Sequence, residues 1–327
     1  MRGIGEFDLI DALAARLDPP EEGLGIGDDA AVWRPAAGSV VVATTDMLVE
    51  GIHFRLDWTS PRDLGWKALA VNLSDLAAMG ARPARGLVSV ALLPGQAGLV
   101  EEMYEGVSEL ARLTGTRIVG GDTVRTSGPL VVNVALIGEA DPDRLLRRDR
   151  ARPGDLIALT GTVGASAAGL DLLSRDDRGS LARPEARPLL AAHHRPRARL
   201  AAGAALAAVG LECAIDVSDG VASEAWHLAR ASGVAIEIDV DRLPLAPEAV
   251  LLLGEERARQ LALSGGEDYE LLFAVAEGGL ADATAALGDE GPPIVVGRVT
   301  GELAGGRVTV MQSGRPVETA RVGYVAF

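Results

Sequence analysis

Two adjacent carboxylates, Asp28 and Asp29, stand in the stretch GIGDDAAV (residues 25–32), between closely spaced glycines and three apolar residues. Adjacent like charges repel, and burying them beside apolar side chains is costly unless a cation or hydrogen bonds compensate. The stretch therefore predicts a counter-charge close to these two side chains.

Further carboxylates follow apolar, strand-like runs. Asp46 follows SVVVATT, Asp122 follows RIVGG, and Asp216 and Asp219 close the stretch ECAIDVSDG. Strand ends in layered α/β folds often present groups to a ligand. Aspartate is also common in turns and at helix N-caps, so for each of these residues alone both interpretations stay open.

Asp75 interrupts the apolar face of a helix that we predict over residues 61–79, beginning at Pro61 and ending before Gly80. Counting by three and four, the residues on that face are Leu64, Ala68, Val71, Asp75 and Ala78. The only lysine of the chain, Lys67, lies two turns away. Metal coordination is therefore at least as well supported for Asp75 as a salt bridge.

Magnesium suits such a set of carboxylates, because it takes hard oxygen ligands and completes its shell with water and substrate phosphates. Several carboxylates with few fixed cations predict a site that neutralises a polyphosphate through Mg²⁺. An EF-hand loop is excluded, because with Gly220 as its sixth residue the first would be Ile215 and not an acid.

The common phosphate-binding motifs are absent. No GxxxxGK[ST] loop surrounds Lys67, no HRD or DFG occurs, and GLGIGD (23–28) has Asp28 at the last glycine position of a dinucleotide fingerprint. The stretch GTVGASAAGL (161–170) follows a predicted strand and opens a helix. It favours close helix–strand packing through small residues, with anion binding by its backbone N–H groups as the alternative.

The four histidines differ in their surroundings. His193 and His194 fall in a charged segment, 175–197, that we predict to be an exposed connection, and His227 follows Trp226 within a helix. These three positions indicate surface or packing roles. His53 lies soon after Asp46 and is a candidate substrate contact.

A polar pair, Glu267 and Asp268, stands in SGGEDYELLF (264–273) between two glycines and an apolar strand. Taken alone, a polar pair at the entry to a strand is more typical of a turn than of a functional site.

Composition excludes several classes of protein. The 327 residues include 31 Lys and Arg against 46 Asp and Glu, a net charge of −15, which disfavours a broad electrostatic grip on nucleic acid or an anionic membrane. Acidic residues in MRGIGEFDLIDAL argue against a signal peptide, and no uncharged apolar run approaches a membrane span. We therefore expect a cytoplasmic protein, with its one cysteine, Cys213, acting as a buried hydrophobic residue.

Strand-like and helix-like segments alternate along the chain, which predicts an α/β fold built from α+β layers. Strands are predicted at 39–45, 87–93, 117–119, 130–137, 156–160, 213–217, 234–240, 270–275 and 293–299. The charged run EADPDRLLRRDRARP (139–153) indicates a boundary between two domains, 1–139 and 140–327.

In order, the segments GIGDDAAV, TTDMLVEGIHF, KALAVNLSDLAAMGARP, GGDT, DVSDG and SGGEDYELLF resemble the thiamine-monophosphate kinase family of the aminoimidazole ribonucleotide synthetase-like superfamily. The resemblance spans nearly the whole chain. It implies a two-domain fold in which the four-stranded sheet of an N-terminal ATP- and Mg²⁺-binding domain pairs with that of a second subunit, with a C-terminal α/β domain folded across the site.

The resemblance also implies roles for individual residues. Metal ligands are implied at Asp29, Thr44, Thr45, Asp46, Asp75, Asp122, Asp216 and Asp219. Nucleotide contacts are implied at Tyr104, Gly121, Asp122, Arg148 and Ser218, and substrate contacts at His53 and Glu267. The tail GYVAF has Ala326 where the family often has histidine before the final Phe, and Tyr324 is the candidate for stacking on the substrate rings.

The activity implied is ATP-dependent phosphorylation of thiamine monophosphate to thiamine diphosphate, with several Mg²⁺ ions and a homodimeric enzyme. The acceptor is a phosphate oxygen, so direct in-line transfer without a general base or a phosphoenzyme is expected. The alternatives are another ATP-using enzyme of the superfamily and a non-catalytic protein that binds Mg-nucleotide.

Overall fold

The computed structural model describes residues 6–17, 26, 30–176 and 178–317. They form two compact units. The first contains the described residues up to Leu76 together with Arg82–Pro142, and the second contains Ala77–Ala81 and the described residues from Asp143 onward. The chain leaves the first unit for the last time after Pro142, within the charged run 139–153.

The first unit consists of a four-stranded sheet and three helices. Its elements are α1 Glu6–Ala14, β1 Val40–Val49, α2 Pro61–Ala78, β2 Arg82–Leu92, α3 Ala97–Thr114, β3 Arg117–Arg125 and β4 Val131–Ala140. The strand order is β1-β4-β2-β3, with only β2 and β3 parallel, because α3 crosses over between them. No helix within the described residues is long and apolar enough to cross a membrane.

The two faces of this sheet have different surroundings. Along β1, Leu48 is buried whereas its neighbour Met47 is 55% exposed. The same alternation runs along β4, where Val132 and Val134 are buried. Successive side chains of a strand point to opposite faces, so one face packs into the core of the unit and the other stays open.

The second unit is larger and is built on a mixed seven-stranded sheet of order β11-β10-β7-β9-β5-β8-β6. Its strands are β5 Leu156–Leu159, β6 Cys213–Asp216, β7 Val234–Asp239, β8 Leu271–Val275, β9 Ile294–Glu302, β10 Arg307–Gln312 and β11 Arg315–Val317. Its α-helices are α4 Ala165–Ser174, α5 Arg178–Leu181, α6 Ala186–His194, α7 Leu200–Ala208, α8 Val221–Ser232, α9 Pro247–Leu253, α10 Glu255–Ser264 and α11 Leu280–Leu287. The predicted α/β fold class is confirmed.

Apolar residues cover both faces of the larger sheet. Ile157 and Leu159 of β5 pack in a cluster with Leu228 of α8, whereas Ala158 belongs to a second cluster with Leu206 of α7. Strands buried on both faces read as continuous apolar runs, which is why LIAL and LLFAV were recognisable in the sequence.

Cys213 begins β6 and is 2% exposed. Burial raises the pKa of its thiol to about 12, so the reactive thiolate is scarce at neutral pH. The interpretation of Cys213 as a buried hydrophobic residue is confirmed.

The prediction of an exposed connection over 175–197 is wrong. The segment contains the helices α5 and α6, and Ala186, Leu189 and His193 of α6 are buried. The many arginines and prolines of this stretch masked a short apolar stripe at helical spacing. Strands β10 and β11 were also not predicted.

Candidate active site

A pair of carboxylates, Asp46 and Asp75, lies on the packed face of the smaller sheet in the first unit. Asp46 is within β1 rather than after it, because pairing with β4 continues to Val49. Asp75 comes from α2, and the Thr44 hydroxyl of β1 donates a hydrogen bond to its carboxylate. Strand and helix thus bring Thr44, Asp46 and Asp75 together, three of the residues for which metal ligation was predicted.

The two carboxylates repel one another. Burial, and then the charge of Asp75, raise the pKa of Asp46 to about 6. A cation bound between the two groups would remove that repulsion. The atoms available as metal ligands are carboxylate and hydroxyl oxygens, which suit a hard ion such as Mg²⁺.

No group of three or more His, Cys, Asp or Glu side chains that could hold a metal occurs among the described residues. Magnesium usually takes only one or two protein carboxylates and completes its octahedron with water and phosphate oxygens. The pair Asp46 and Asp75, supported by Thr44, therefore fits a magnesium site without a third acid.

Asp122 and Thr45 belong to the opposite face of this sheet. Asp122 of β3 is paired with Ser89 of β2, which is paired with Asn133 of β4, whereas Asp46 is paired with Val134. Cross-strand partners share a face, and Asn133 and Val134 are neighbours on one strand, so Asp122 lies on the opposite face of the sheet from Asp46. Thr45 lies on that face too and donates to the side chain of Asn133 at 3.1 Å.

His53 and Tyr104 have defined partners in the first unit. The Nδ1 atom of His53 accepts a hydrogen bond from the Val49 backbone N–H at 3.1 Å, which leaves Nε2 as the protonated nitrogen of the neutral ring. Tyr104 is 5% exposed, and its hydroxyl lies 3.5 Å from the Val88 carbonyl oxygen. Its predicted contact with a nucleotide stays a prediction.

Gly121 leaves no room for a side chain. A Cβ atom there would lie 1.8 Å from the Val88 carbonyl oxygen, so β3 approaches β2 too closely for any other residue. Packing therefore requires glycine immediately before Asp122 in GGDT, and the predicted contact of Gly121 with a nucleotide stays a prediction.

In the second unit, the loop formed by SGGEDYE is bound to the loop that follows β6. The Glu267 N–H donates to the Ser218 carbonyl at 2.8 Å, and the Tyr269 N–H donates to the Val217 carbonyl at 2.9 Å. A Cβ atom on Gly266 would lie 2.1 Å from the Ser218 carbonyl oxygen, so only glycine permits this approach. The two loops carry Ser218 and Glu267, both predicted to contact ligands.

The backbone of this loop is strained on both sides of Asp268. Glu267 and Tyr269 have φ angles of 67° and 53°, a region that residues other than glycine rarely adopt. Asp268 itself accepts hydrogen bonds from the backbone N–H groups of Gly164 at 2.6 Å and Ser166 at 3.3 Å. Such strain persists where the surrounding structure fixes it, often at functional sites.

Asp268 also decides between the two interpretations of GTVGASAAGL. The backbone N–H groups at the start of α4 donate to the Asp268 carboxylate, which takes the place an anionic ligand would occupy. The stretch is a packing and capping element, and Asp268 is the residue that caps it.

Charged side chains cluster around the loop after β6. Asp216 ends β6 and is 2% exposed, and Asp219 follows three residues later. Burial raises the pKa of Asp219, and the negative charge of Glu267 raises it further, whereas His227 opposes both effects. Arg148 lies close to the same loop. Burial lowers the pKa of His227 most, and the positive charge of Arg148 lowers it further.

Glu224 is a residue of this site that sequence reasoning missed. It is 2% exposed and accepts hydrogen bonds from the Asp219 N–H at 2.9 Å and the Ser218 hydroxyl at 3.3 Å. Burial, reinforced by the charges of Asp216 and Asp219, raises the pKa of Glu224 to about 8. The available signal was an acid in the first turn of a helix after SDG, a position from which a carboxylate reaches back to the preceding loop.

Two of the predicted site residues, Asp29 and Tyr324, lie outside the described residues. The remaining predicted residues divide between the units. The first contains Thr44, Thr45, Asp46, His53, Asp75, Tyr104, Gly121 and Asp122, and the second contains Arg148, Asp216, Ser218, Asp219 and Glu267.

Comparison with known proteins identifies the family. The family models described as AIR synthase related protein, N-terminal and C-terminal domains, match residues 27–140 and 152–309. The thiamine-monophosphate kinase of Salmonella typhimurium is 38% identical over 329 residues, which cover 99% of this chain and 98% of the relative. That of Bacillus subtilis is 40% identical over 81% of this chain and 82% of its own length. The chain belongs to the thiamine-monophosphate kinase family.

Solved structures of the thiamine-monophosphate kinase family have the same fold. The enzyme from Stenotrophomonas maltophilia K279a is 37% identical with a TM-score of 0.84, over 96% of this chain and 98% of that one. A structure described as AaThiL complexed with AMPPCP and TMP is 33% identical with a TM-score of 0.77, over 99% and 97%. A hydrogenase maturation protein HypE in complex with ATP, 22% identical with a TM-score of 0.75 over 94% and 92%, is similar in fold alone.

Proposed function

We propose that this protein transfers the γ-phosphoryl group of ATP to thiamine monophosphate and releases thiamine diphosphate and ADP. Relatives of that name are 36–40% identical to it, and the complex with AMPPCP and TMP comes from a chain 33% identical. The observation in this structure that carries the proposal is the half-buried pair Asp46 and Asp75, whose mutual repulsion a bound cation would relieve.

The proposed reaction needs no general base. The acceptor is the phosphate of thiamine monophosphate, and the second pKa of a phosphate monoester is about 6, so the attacking oxygen is already anionic at neutral pH. The chain must instead position two polyanions in line and offset their mutual repulsion. A site rich in carboxylates performs this task only with bound cations.

We assign the binding of Mg²⁺ in the first unit to Asp46 and Asp75, with Thr44 orienting Asp75 through its hydrogen bond. Asp29, Thr45, Asp122, Asp216 and Asp219 remain further candidates that the family resemblance implies. Magnesium held by these side chains would supply positive charge that offsets the repulsion between the donor and acceptor phosphates.

In the second unit, the loop after β6 and the SGGEDYE loop are proposed to hold the reactants. Arg148 supplies a positive charge for a phosphate group of the nucleotide, and Ser218 supplies a hydroxyl. Glu267 supplies a carboxylate for the thiamine moiety, whose thiazolium ring is a cation. Glu224 holds Ser218 and Asp219 in place through its two hydrogen bonds.

Phosphorus NMR tests the proposed activity. We expect incubation with Mg-ATP and thiamine monophosphate to give thiamine diphosphate and ADP in equal amounts, and no reaction after chelation of the metal. With γ-labelled ATP, the label should appear in thiamine diphosphate and not on the denatured protein. ADP without thiamine diphosphate would indicate another ATP-using enzyme of the superfamily, and nucleotide binding without any product would indicate a non-catalytic protein.

A second copy of the chain is the proposed partner of the open face of the smaller sheet. This face presents Val41, Met47 and Leu87, which are 54%, 55% and 36% exposed. The family resemblance implies that two such sheets pair in a homodimer. Burial of exposed apolar side chains is a usual driving force for a stable dimer.

Replacement of Met47 by Glu should therefore give a monomer, because it places a charge on the proposed interface in place of an exposed apolar side chain. Light scattering after size exclusion should give twice the 33.8 kDa chain mass for the wild-type protein and the single chain mass for the variant. Leu113→Glu is the matched control, since Leu113 is 72% exposed near the end of α3 and away from this face. A wild-type monomer would contradict the proposal.

A further inference from the structure

His193 is buried at the end of α6, although the sequence indicated a surface or packing role. It is 3% exposed, and its Nδ1 atom lies 3.2 Å from Oε2 of Glu267 and 3.3 Å from Oγ of Ser166. Helix α6 is thus in direct polar contact with the loop proposed to hold the substrate.

The approach of α6 to α4 depends on one glycine. A Cβ atom on Gly169 of α4 would lie 2.4 Å from the Leu189 carbonyl oxygen and 3.3 Å from Cβ of His193. Any other residue would push the two helices apart and withdraw His193 from Glu267. The contact is therefore built into the helix packing and is not a chance encounter of surface side chains.

The three side chains do not form a catalytic triad. A triad uses both imidazole nitrogens, one for the nucleophile and one for the acid. Here the carboxylate of Glu267 and the hydroxyl of Ser166 both face Nδ1. A proton on Nδ1 is donated to the Glu267 carboxylate, so Nδ1 cannot accept a proton from Ser166. What the geometry supplies is a fixed donor to the Glu267 carboxylate.

The hydrogen bond from His193 adds to other constraints on Glu267. Its backbone is already fixed by the hydrogen bond to Ser218 and by the anchoring of Asp268 on α4. The carboxylate lies close enough to Asp219 for its negative charge to raise the pKa of that residue. It remains 24% exposed while bonded to His193, so a ligand can still reach it.

We propose that His193 is a positioning residue, whose Nδ1–H fixes the carboxylate of Glu267 in the orientation that receives the thiamine moiety. This role rests on the proposed function and refines it. His193 takes no part in the transfer of the phosphoryl group, so it affects the recognition of one substrate and not the chemical step.

Steady-state kinetics of His193→Leu provide the test. We expect the KM for thiamine monophosphate to rise about tenfold, the effect of losing one charge-assisted hydrogen bond of roughly 1.4 kcal/mol. The KM for ATP and kcat should stay within about twofold of wild type. His193→Asn should recover most of the affinity, because its amide nitrogen can occupy the place of Nδ1. Arg187→Leu is the matched control, because Arg187 is exposed on the same helix, and it should leave all three constants unchanged.

A double-mutant cycle separates this role from a general packing role. In a Glu267→Ala background, His193→Leu should raise the KM for thiamine monophosphate by less than about twofold, because its partner is already gone. The proposal would be overturned if the two substitutions raised the KM for thiamine monophosphate by factors that multiply in the double variant. A fall in kcat with an unchanged KM for His193→Leu would also overturn it. Wild-type protein that forms no thiamine diphosphate would overturn the proposed function first, and this role with it.

A spectroscopic measurement does not depend on the folding of a His193 variant. In wild-type protein labelled with ¹⁵N-histidine, thiamine monophosphate should shift the Nδ1–H resonance of His193, and Glu267→Ala should abolish that response. An unchanged resonance in a protein that forms thiamine diphosphate would overturn the role assigned to His193.

Discussion

Replacement of Asp46 by Asn should lower the rate of thiamine diphosphate formation by about a thousandfold, the upper range for loss of one group that stabilises transition-state charge. The variant keeps the shape of the side chain but removes one of the two negative charges proposed to hold Mg²⁺. Product formation at saturating Mg-ATP and thiamine monophosphate measures the effect.

The same variant should be more stable than wild type when no metal is present. Burial and the charge of Asp75 raise the pKa of Asp46 to about 6, so above that pH the folded protein carries an unfavourable like-charge pair. Ionisation of Asp46 therefore lowers the free energy of unfolding. This loss is absent below the unfolded pKa of the carboxyl group and develops as the pH rises through about 6. Asp46→Asn should therefore have a higher Tm than wild type in EDTA at pH 8. Its Tm should increase less than that of wild type when Mg²⁺ is added.

Asp57→Asn is the control for the Asp46 variant. Asp57 is 57% exposed and pairs with the exposed Arg55, so its loss should change neither turnover nor Tm measurably. If Asp46→Asn retained wild-type turnover, or if the two variants responded to Mg²⁺ alike, Asp46 would not be part of the magnesium site.

The second large effect is expected on stability, from Arg199→Met. Arg199 is 17% exposed and forms ion pairs with Glu270, which is 7% exposed, and with Glu290 at 3.1 Å. The other oxygen of Glu270 accepts a hydrogen bond from the Thr160 hydroxyl at 2.7 Å. Removal of Arg199 leaves a buried carboxylate without its cation, which typically costs about 3–5 kcal/mol.

Urea unfolding should therefore show a free energy of unfolding about 3 kcal/mol or more below wild type for Arg199→Met. Arg197→Met is the matched control, because Arg197 also pairs with Glu290 but is 70% exposed, and its loss should cost less than about 0.5 kcal/mol. The double variant Arg199→Met, Glu270→Gln should recover part of the loss, since no charge remains buried. Equal effects of the two arginine variants would contradict this account of the network.

Most elements of the fold could be predicted from the sequence because their apolar patterns are local. The long helices α2 and α3 and the buried strands β5, β6 and β8 have such patterns, with clear Gly and Pro boundaries. The missed hairpin of β10 and β11 also had a signal. Its two-residue turn is Ser313-Gly314, with φ angles of 50° and 73°, between alternating residues.

The positions of the acids within strands could not be predicted, because strand ends depend on distant partners. The apolar run before Asp46 ends at Thr45, but β1 continues to Val49 through pairing with β4. Whether Asp46 shares a face with Asp75 or with Asp122 depends on a register between segments about 90 residues apart. A shift of one residue would reverse the assignment.

The interpretation of polar pairs was limited in the same way. Sequence alone could not distinguish Glu267, which faces His193, from Asp268, which caps α4. Both roles depend on α4 and α6, about 75–100 residues earlier in the chain. The composition of α6, with three basic residues among nine, further concealed that one histidine is buried.

The central claim is that Asp46 and Asp75 bind a divalent ion that serves the two phosphate-bearing reactants. Its most direct test is the anomalous scattering of Mn²⁺ in a crystal of the protein with a non-hydrolysable ATP analogue and thiamine monophosphate. We expect a peak within about 2.3 Å of carboxylate oxygens of both residues, as is usual for a small divalent ion. Peaks only elsewhere, with the two carboxylates bonded to protein groups or water, would contradict the account.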